Sequence, residues 1–190
     1  DMRATQVTEL REKITAILTV ATPEDEVVIT VESGGGVVHT YGLCASQLAR
    51  LRQKNIPLTI IVDKVAASGG YMMACVANQI IAAPFAIVGS IGVLMQLPNF
   101  HKFLKKHNID FEQLSGGEYK RTLTLFGENT NKDREKMQEE IDKTHELFKN
   151  FVEAYRPQLD INKVATGEYW LGTQAFDLRL IDKIGTSDDY

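Results

Sequence analysis

Leu58-Thr59-Ile60-Ile61-Val62 is the stretch that most restricts what this chain can fold into. It is short, β-favouring and apolar apart from Thr59. A strand built from such a run has no wet face, so it must be covered on both sides. Val27-Val28-Ile29-Thr30-Val31 has the same character and reads as a second strand buried on both faces. Helical periodicity surrounds these runs. Val7, Leu10, Ile14, Ile17 and Leu18 fall on one face of an amphipathic helix within residues 1–22, and a second helix covers Tyr41 to Lys54. Strand, helix, strand, helix in this order predicts an α/β fold with a mostly parallel sheet.

The rest of the chain continues that alternation. A helical pattern runs from Tyr71 to Asn78. Short apolar segments follow at Ile80-Ala83 and Ile87-Val93, split by Pro84. Asn99 to Asn108 predicts a short helix and Phe111 to Leu114 a strand. Asp133 to Tyr155 is a long helix, ended where Arg156-Pro157 breaks the hydrogen-bond ladder. The tail holds Trp170, a helix over Thr173 to Leu178 and a closing Ile181-Asp182-Lys183-Ile184-Gly185. With 190 residues, this organisation fits one domain with a real core.

Charge and composition narrow the function classes. The net charge is −4 and the pI about 5.6, which disfavours a nucleic-acid partner. The opening Asp1-Met2-Arg3 is not signal-peptide-like, and no apolar run reaches membrane-spanning length. Cys44 and Cys75 have no metal-ligand spacing, and none of His39, His101, His107 and His145 falls in a metal-binding pattern, so no metal or cofactor is expected. Cys75 reads as a small core residue. A Cys44–Cys75 disulfide is compatible with the sequence.

Two small-residue turns are candidates for chemistry. Ser68 precedes Gly69-Gly70 at the start of a helix and follows a buried strand, which places its hydroxyl where open α/β sheets build their sites. A serine there is also a preferred N-cap, and spacing alone favours that role. Ser33-Gly34-Gly35-Gly36 ends the other buried strand. It lacks the spacing of a phosphate loop or dinucleotide fingerprint; taken alone it reads as a tight turn, and its N–H groups can also point at a substrate carbonyl. A serine nucleophile needs a base. His39, Lys64 and Lys120 all qualify on composition.

Ordered motifs bring in a resemblance. Val65-Ala66-Ala67-Ser68-Gly69-Gly70-Tyr71-Met72-Met73-Ala74 resembles the nucleophile segment of the bacterial signal peptide peptidase A family. Val88-Gly89-Ser90-Ile91-Gly92-Val93, Ser115-Gly116-Gly117-Glu118-Tyr119-Lys120-Arg121 and Trp170-Leu171-Gly172-Thr173-Gln174-Ala175 resemble its later motifs, in the family's order. The likeness covers residues 27–185.

The resemblance implies a crotonase/ClpP-like spiral of β-β-α units forming a single catalytic domain over residues 1–190. It implies a serine endopeptidase with Ser68 as nucleophile and Lys120 as general base. Ser90 would orient the lysine, and the Gly35 and Gly69 N–H groups would hold the oxyanion. It also implies a peptide or protein substrate, a homo-oligomer, and a membrane-anchored full-length protein at the bacterial inner membrane with a periplasmic catalytic domain. A crotonase-type acyl-CoA enzyme or a non-catalytic scaffold would share the fold. Two positions depart from the family pattern. Gly34 stands where proline is usual in Asn-Ser-Pro-Gly-Gly, and Arg179 where glycine is usual in Gly-Leu-Val/Ile-Asp.

Overall fold

A computed structural model describes residues 2–190; Asp1 lies outside the described residues. The chain forms two compact units. Among the described residues, one comprises residues 2–92 and 147–190, and the other residues 93–146.

The first unit carries two sheets. The larger joins β1 (Val27–Thr30), β2 (Leu58–Val62), β4 (Gln79–Ala82) and β7 (Lys183–Ile184), all parallel and in the order β1-β2-β4-β7. The smaller joins β3 (Val65–Ala67), β5 (Ile87–Gly89) and β6 (Tyr169–Leu171), with β3 parallel and β6 antiparallel to β5. Consecutive strands alternate between the sheets, β2 to β3 and again β4 to β5. Beyond β1, the Ser33 bridge to Ala66 adds one more rung to the smaller sheet. Each strand pair is thus followed by a step sideways, which is the expected spiral.

The helices are α1 (Val7–Val20), α2 (Val38–Gln53), α3 (Gly69–Ala74), α4 (His101–Lys106), α5 (Asn131–Tyr155), α6 (Ile161–Val164) and α7 (Gly172–Asp177). α2 buries Tyr41, Cys44, Ala45, Leu48, Ala49 and Leu51, and it packs against α1 and α3. β2 is buried at every position, as its composition demands. Its one polar side chain, Thr59, donates to the Glu26 carboxylate at 2.6 Å, so the buried hydroxyl is satisfied. Both cysteines are free and buried. Cys75 is a core residue, and burial pushes its thiol pKa up, which leaves it unreactive.

Three sequence expectations are corrected. β1 is not buried on both faces: Val27 and Ile29 pack on the core while Val28 and Thr30 face outward. Only one side of that strand has a covering layer. The helix after Ser68 stops at Ala74, short of Asn78: the Val76 and Ala77 N–H groups donate to carbonyls three residues back, and the Asn78 N–H donates to the Leu58 carbonyl at 2.8 Å instead of to the helix. Phe111 to Leu114 forms no strand and is exposed. Phe111 instead meets the Phe126 ring, with centroids 5.7 Å apart, within the second unit.

One buried charge fastens the end of the first unit. Arg156 is 3% exposed and meets Asp182 through two 2.8 Å hydrogen bonds. It also donates to the Arg179 carbonyl at 3.0 Å, while Asp182 accepts the Ile80 N–H at 2.8 Å. Burial works against the Arg156 charge, but the Asp182 carboxylate more than offsets it, and the pKa ends above the usual arginine value. β4, β7 and the end of α5 therefore meet at one ion pair. We expect Asp182→Ala to lower the unfolding free energy by about 3 kcal/mol, measured by urea denaturation. A loss under about 0.5 kcal/mol would refute this role.

Arg179 ends α7 at φ +63°, the left-handed region where a side chain is strained. Its N–H donates to the Phe176 carbonyl, and Leu180 N–H donates to Ala175 at 2.8 Å, which closes a Schellman turn. The turn forms although glycine is missing. Arg179→Gly should raise stability by roughly 0.5–1 kcal/mol. A melting temperature that stays level or drops would contradict that expectation.

Candidate active site

Ser68 sits where β3 ends and α3 begins. Its N–H extends the β3–β5 ladder by donating to the Gly89 carbonyl at 2.7 Å. Its carbonyl accepts the Met72 N–H at 2.9 Å and starts the helix. Between these two anchors the backbone takes φ +53° and ψ −119°. A non-glycine residue held there costs on the order of 1–3 kcal/mol, a strain that clusters at functional sites. The side chain occupies the N-cap position yet makes no capping hydrogen bond. The cap reading therefore does not account for it. The hydroxyl is half-buried, on a sharp strand-to-helix turn.

Gly35 lies against this turn at φ +87°. A Cβ there would come within 2.6 Å of Gly69 N, 2.7 Å of Ser68 Cβ and 2.8 Å of the Ala67 carbonyl. Backbone meets backbone, and no side chain fits between. Gly69 and Gly70 open α3, so their N–H groups are among those a helix leaves without an internal acceptor. Gly35 N–H donates to the Ser33 hydroxyl at 3.2 Å, a long bond. Ser33 itself is clamped to β3 by its N–H to Val65 and its carbonyl from Ala67.

Ser90 occupies the matching place on the neighbouring strand. Ala67 pairs with Gly89, so Ser68 and Ser90 each follow a paired residue. Ser90 also has a positive φ, +51°. Its hydroxyl donates to the Gly167 carbonyl at 3.3 Å. Trp170 packs its ring beside Gly89, where a Cβ would be 3.0 Å from the indole. Ser68, Gly69, Gly35 and Ser90 are thus brought together in the first unit.

Lys120 belongs to the second unit. It lies on the turn after Gly117, with its N–H donating to the Gly117 carbonyl at 3.2 Å, and its side chain is exposed. It shares a concavity of about 640 Å³ with Leu123, Leu125 and Phe126, the apolar residues that follow it in sequence. Of the rival bases, Lys64 is an exposed partner of Glu32 at 3.1 Å, and His39 is exposed on the first turn of α2. Among the described residues, no cluster of His, Cys, Asp and Glu could hold a metal ion. Sequence reasoning missed Tyr41 and the part played by the Ser33 hydroxyl. Tyr41 packs on Gly69 and Ser33 bonds Gly35. Tyr41 belongs to no recognisable motif, and Ser33 was singled out only as part of the Ser33-Gly34-Gly35-Gly36 turn, with no role given to its side chain.

A sequence model of peptidase family S49 matches residues 50–190, and one of the family's N-terminal region matches residues 1–48. The chain belongs to peptidase family S49. It is 60% identical over 189 residues to the probable protease SohB of Haemophilus influenzae, a match spanning 100% of this chain and 54% of that protein. It is also 60% identical over 190 residues to the probable protease SohB of Buchnera aphidicola subsp. Schlechtendalia chinensis, covering 62% of that protein. The chain therefore spans little more than half the length of these S49 relatives. The fold is similar to that of a ClpP1 mutant from Listeria monocytogenes, with a TM-score of 0.64, 12% identity, and coverage of 99% of this chain and 88% of that one.

The glycines differ sharply in what they tolerate. Gly34 has nothing within 4 Å and no positive φ, whereas a Cβ on Gly69 would lie 2.4 Å from the Tyr41 ring. Gly34→Ala should leave stability unchanged or raise it by up to about 1 kcal/mol through the unfolded chain. Gly69→Ala should cost at least about 2 kcal/mol by overpacking. Equal melting temperatures for the two variants would show that the turn is looser than this.

Proposed function

We propose that this chain is the catalytic domain of a serine endopeptidase with Ser68 as nucleophile and Lys120 as general base. The observation that carries the proposal is the strained, uncapped Ser68 with Gly69 and Gly35 against it. Membership of a peptidase family supports it over an acyl-CoA enzyme or a bare scaffold.

In this reading Lys120 Nζ takes the Ser68 proton as Oγ bonds to the substrate carbonyl carbon. The oxygen that becomes negative accepts hydrogen bonds from the Gly69 and Gly35 N–H groups, and Gly35 releases Ser33 to do so. The C–N bond breaks as Lys120 returns the proton to the leaving amine. Water then enters by the same route and frees Ser68. Ser90 would orient the lysine through its hydroxyl.

A lysine serves as base only when neutral, which requires a dry surrounding. Lys120 is exposed in this structure. The role therefore calls for its apolar concavity to be covered, by bound substrate or by a neighbouring subunit. An apolar extended peptide fits that demand, such as a signal-peptide remnant or a membrane-protein segment with small residues at the cleavage point. A homo-oligomer fits it equally. No helix among the described residues is long and apolar enough to cross a membrane. By resemblance, the whole protein would be anchored in the bacterial inner membrane with this part in the periplasm.

A fluorophosphonate probe should label the wild type and leave Ser68→Ala untouched. Lys120→Ala should stay folded by circular dichroism and lose peptide turnover roughly a thousandfold. A folded wild type that never labels would sink the nucleophile assignment. Full turnover in Lys120→Ala would pass the base role to His39 or Lys64.

A further inference from the structure

We infer that Tyr41 and Ser33 are positioning residues that set where the two oxyanion donors rest before substrate arrives. The inference rests on the reading of Ser68 as nucleophile and adds residues that reading does not use. Gly34 supplies no stiffness to its turn, since open space surrounds it and it has no side chain. Something outside the turn must therefore fix where Gly35 N–H points. The structure places that support in α2.

Tyr41 is 2% exposed and lies against Gly69. A Cβ added at Gly69 would be 2.4 Å from the Tyr41 Cγ, and 2.8 Å from both its Cβ and Cδ1. The ring therefore limits how far the first peptide of α3 can move. At its other end, the Tyr41 hydroxyl is 2.6 Å from the Ser33 hydroxyl. Ser33 Oγ in turn accepts the Gly35 N–H at 3.2 Å. The ring thus sets one donor, while its hydroxyl sets the acceptor that holds the other. Ser33 cannot drift, because its backbone is bonded to Val65 and Ala67 of β3.

Oxyanion donors act by being aimed before the charge develops. A Gly35 N–H resting on Ser33 at a long distance is aimed without being strongly held. The developing oxyanion is the better acceptor because it is charged. Tyr41 and Ser33 touch neither the substrate nor the reacting atoms in this scheme. Their effect falls on the transition state, so it belongs in kcat rather than KM.

The test is a double-mutant cycle on the full chain with Tyr41→Phe, Ser33→Ala and both together. Tyr41→Phe keeps the ring on Gly69 and removes only the hydroxyl. Steady-state kinetics, fluorophosphonate labelling rate and melting temperature are read on each folded variant. Each single change should lower kcat about tenfold with KM within about twofold. The double change should be no worse than the worse single, because both cut the same connection. Unchanged kcat, with or without a lower melting temperature, overturns the inference and leaves the Ser68 assignment standing. Independent, multiplying losses overturn the shared connection. If Tyr41→Phe fails to fold, the kcat and KM of Ser33→Ala decide alone. A wild type that neither labels nor turns over brings down the nucleophile reading, and this inference with it.

Discussion

The pairing of β3 with β5 is the constraint on which the site depends. Ser68 holds a backbone conformation that a free chain avoids, and it does so because its N–H is already committed to Gly89. The ladder that ends at Ala67 and Gly89 supplies the free energy that the strained turn consumes. Val88 and Ala66 are fully buried on that ladder, so it is anchored in the core. The arrangement also explains why Ser68 and Ser90 are neighbours despite their separation in sequence. Two parallel strands of equal length end side by side, and each is followed by a residue at positive φ.

Much of this was legible in the sequence, for physical reasons. The apolar run of β2 and the 3.6-residue periods of α1 and α5 reflect burial directly, so composition reveals them. The glycine turns were legible as close approaches, though not as approaches to each other. β3 was not visible as a strand, because Val65-Ala66-Ala67 is too short to show a period. The Arg156–Asp182 pair was invisible too. Nothing in local sequence says that a helix-ending arginine will meet an aspartate 26 residues later. Arg179 shows a third limit. Turn chemistry favours glycine there, yet the hydrogen bonds of the turn and the buried Leu180 and Ile181 beyond it hold the arginine in place.

The glycines around Ser68 are rigid because of what touches them. Gly69 and Gly70 are pinned by what surrounds them, the Tyr41 ring and the Ser33 carbonyl. Gly36 is pinned as well: a Cβ there would lie 2.1 Å from the Met2 carbonyl, which accepts the Val37 N–H at 2.9 Å. The segment before α1 thus braces the glycine turn from outside. Of the glycines in this turn, Gly34 alone stands clear of its neighbours. The second unit is held differently. Asn99 donates its amide to the Thr124 and Gly127 carbonyls, and Phe126 meets Phe100 and Phe111, so polar clips and aromatic contacts replace a sheet.

The close approach of Gly35 to Gly69 carries a further consequence. Donors made of main-chain amide have no rotamer to choose and no proton to lose across the range in which enzymes work. A hole built from them presents the same field at every such pH. In an enzyme of this design, acidity would act only through the base that drives the serine and through the substrate. The half of the site that stabilises charge would be indifferent to it.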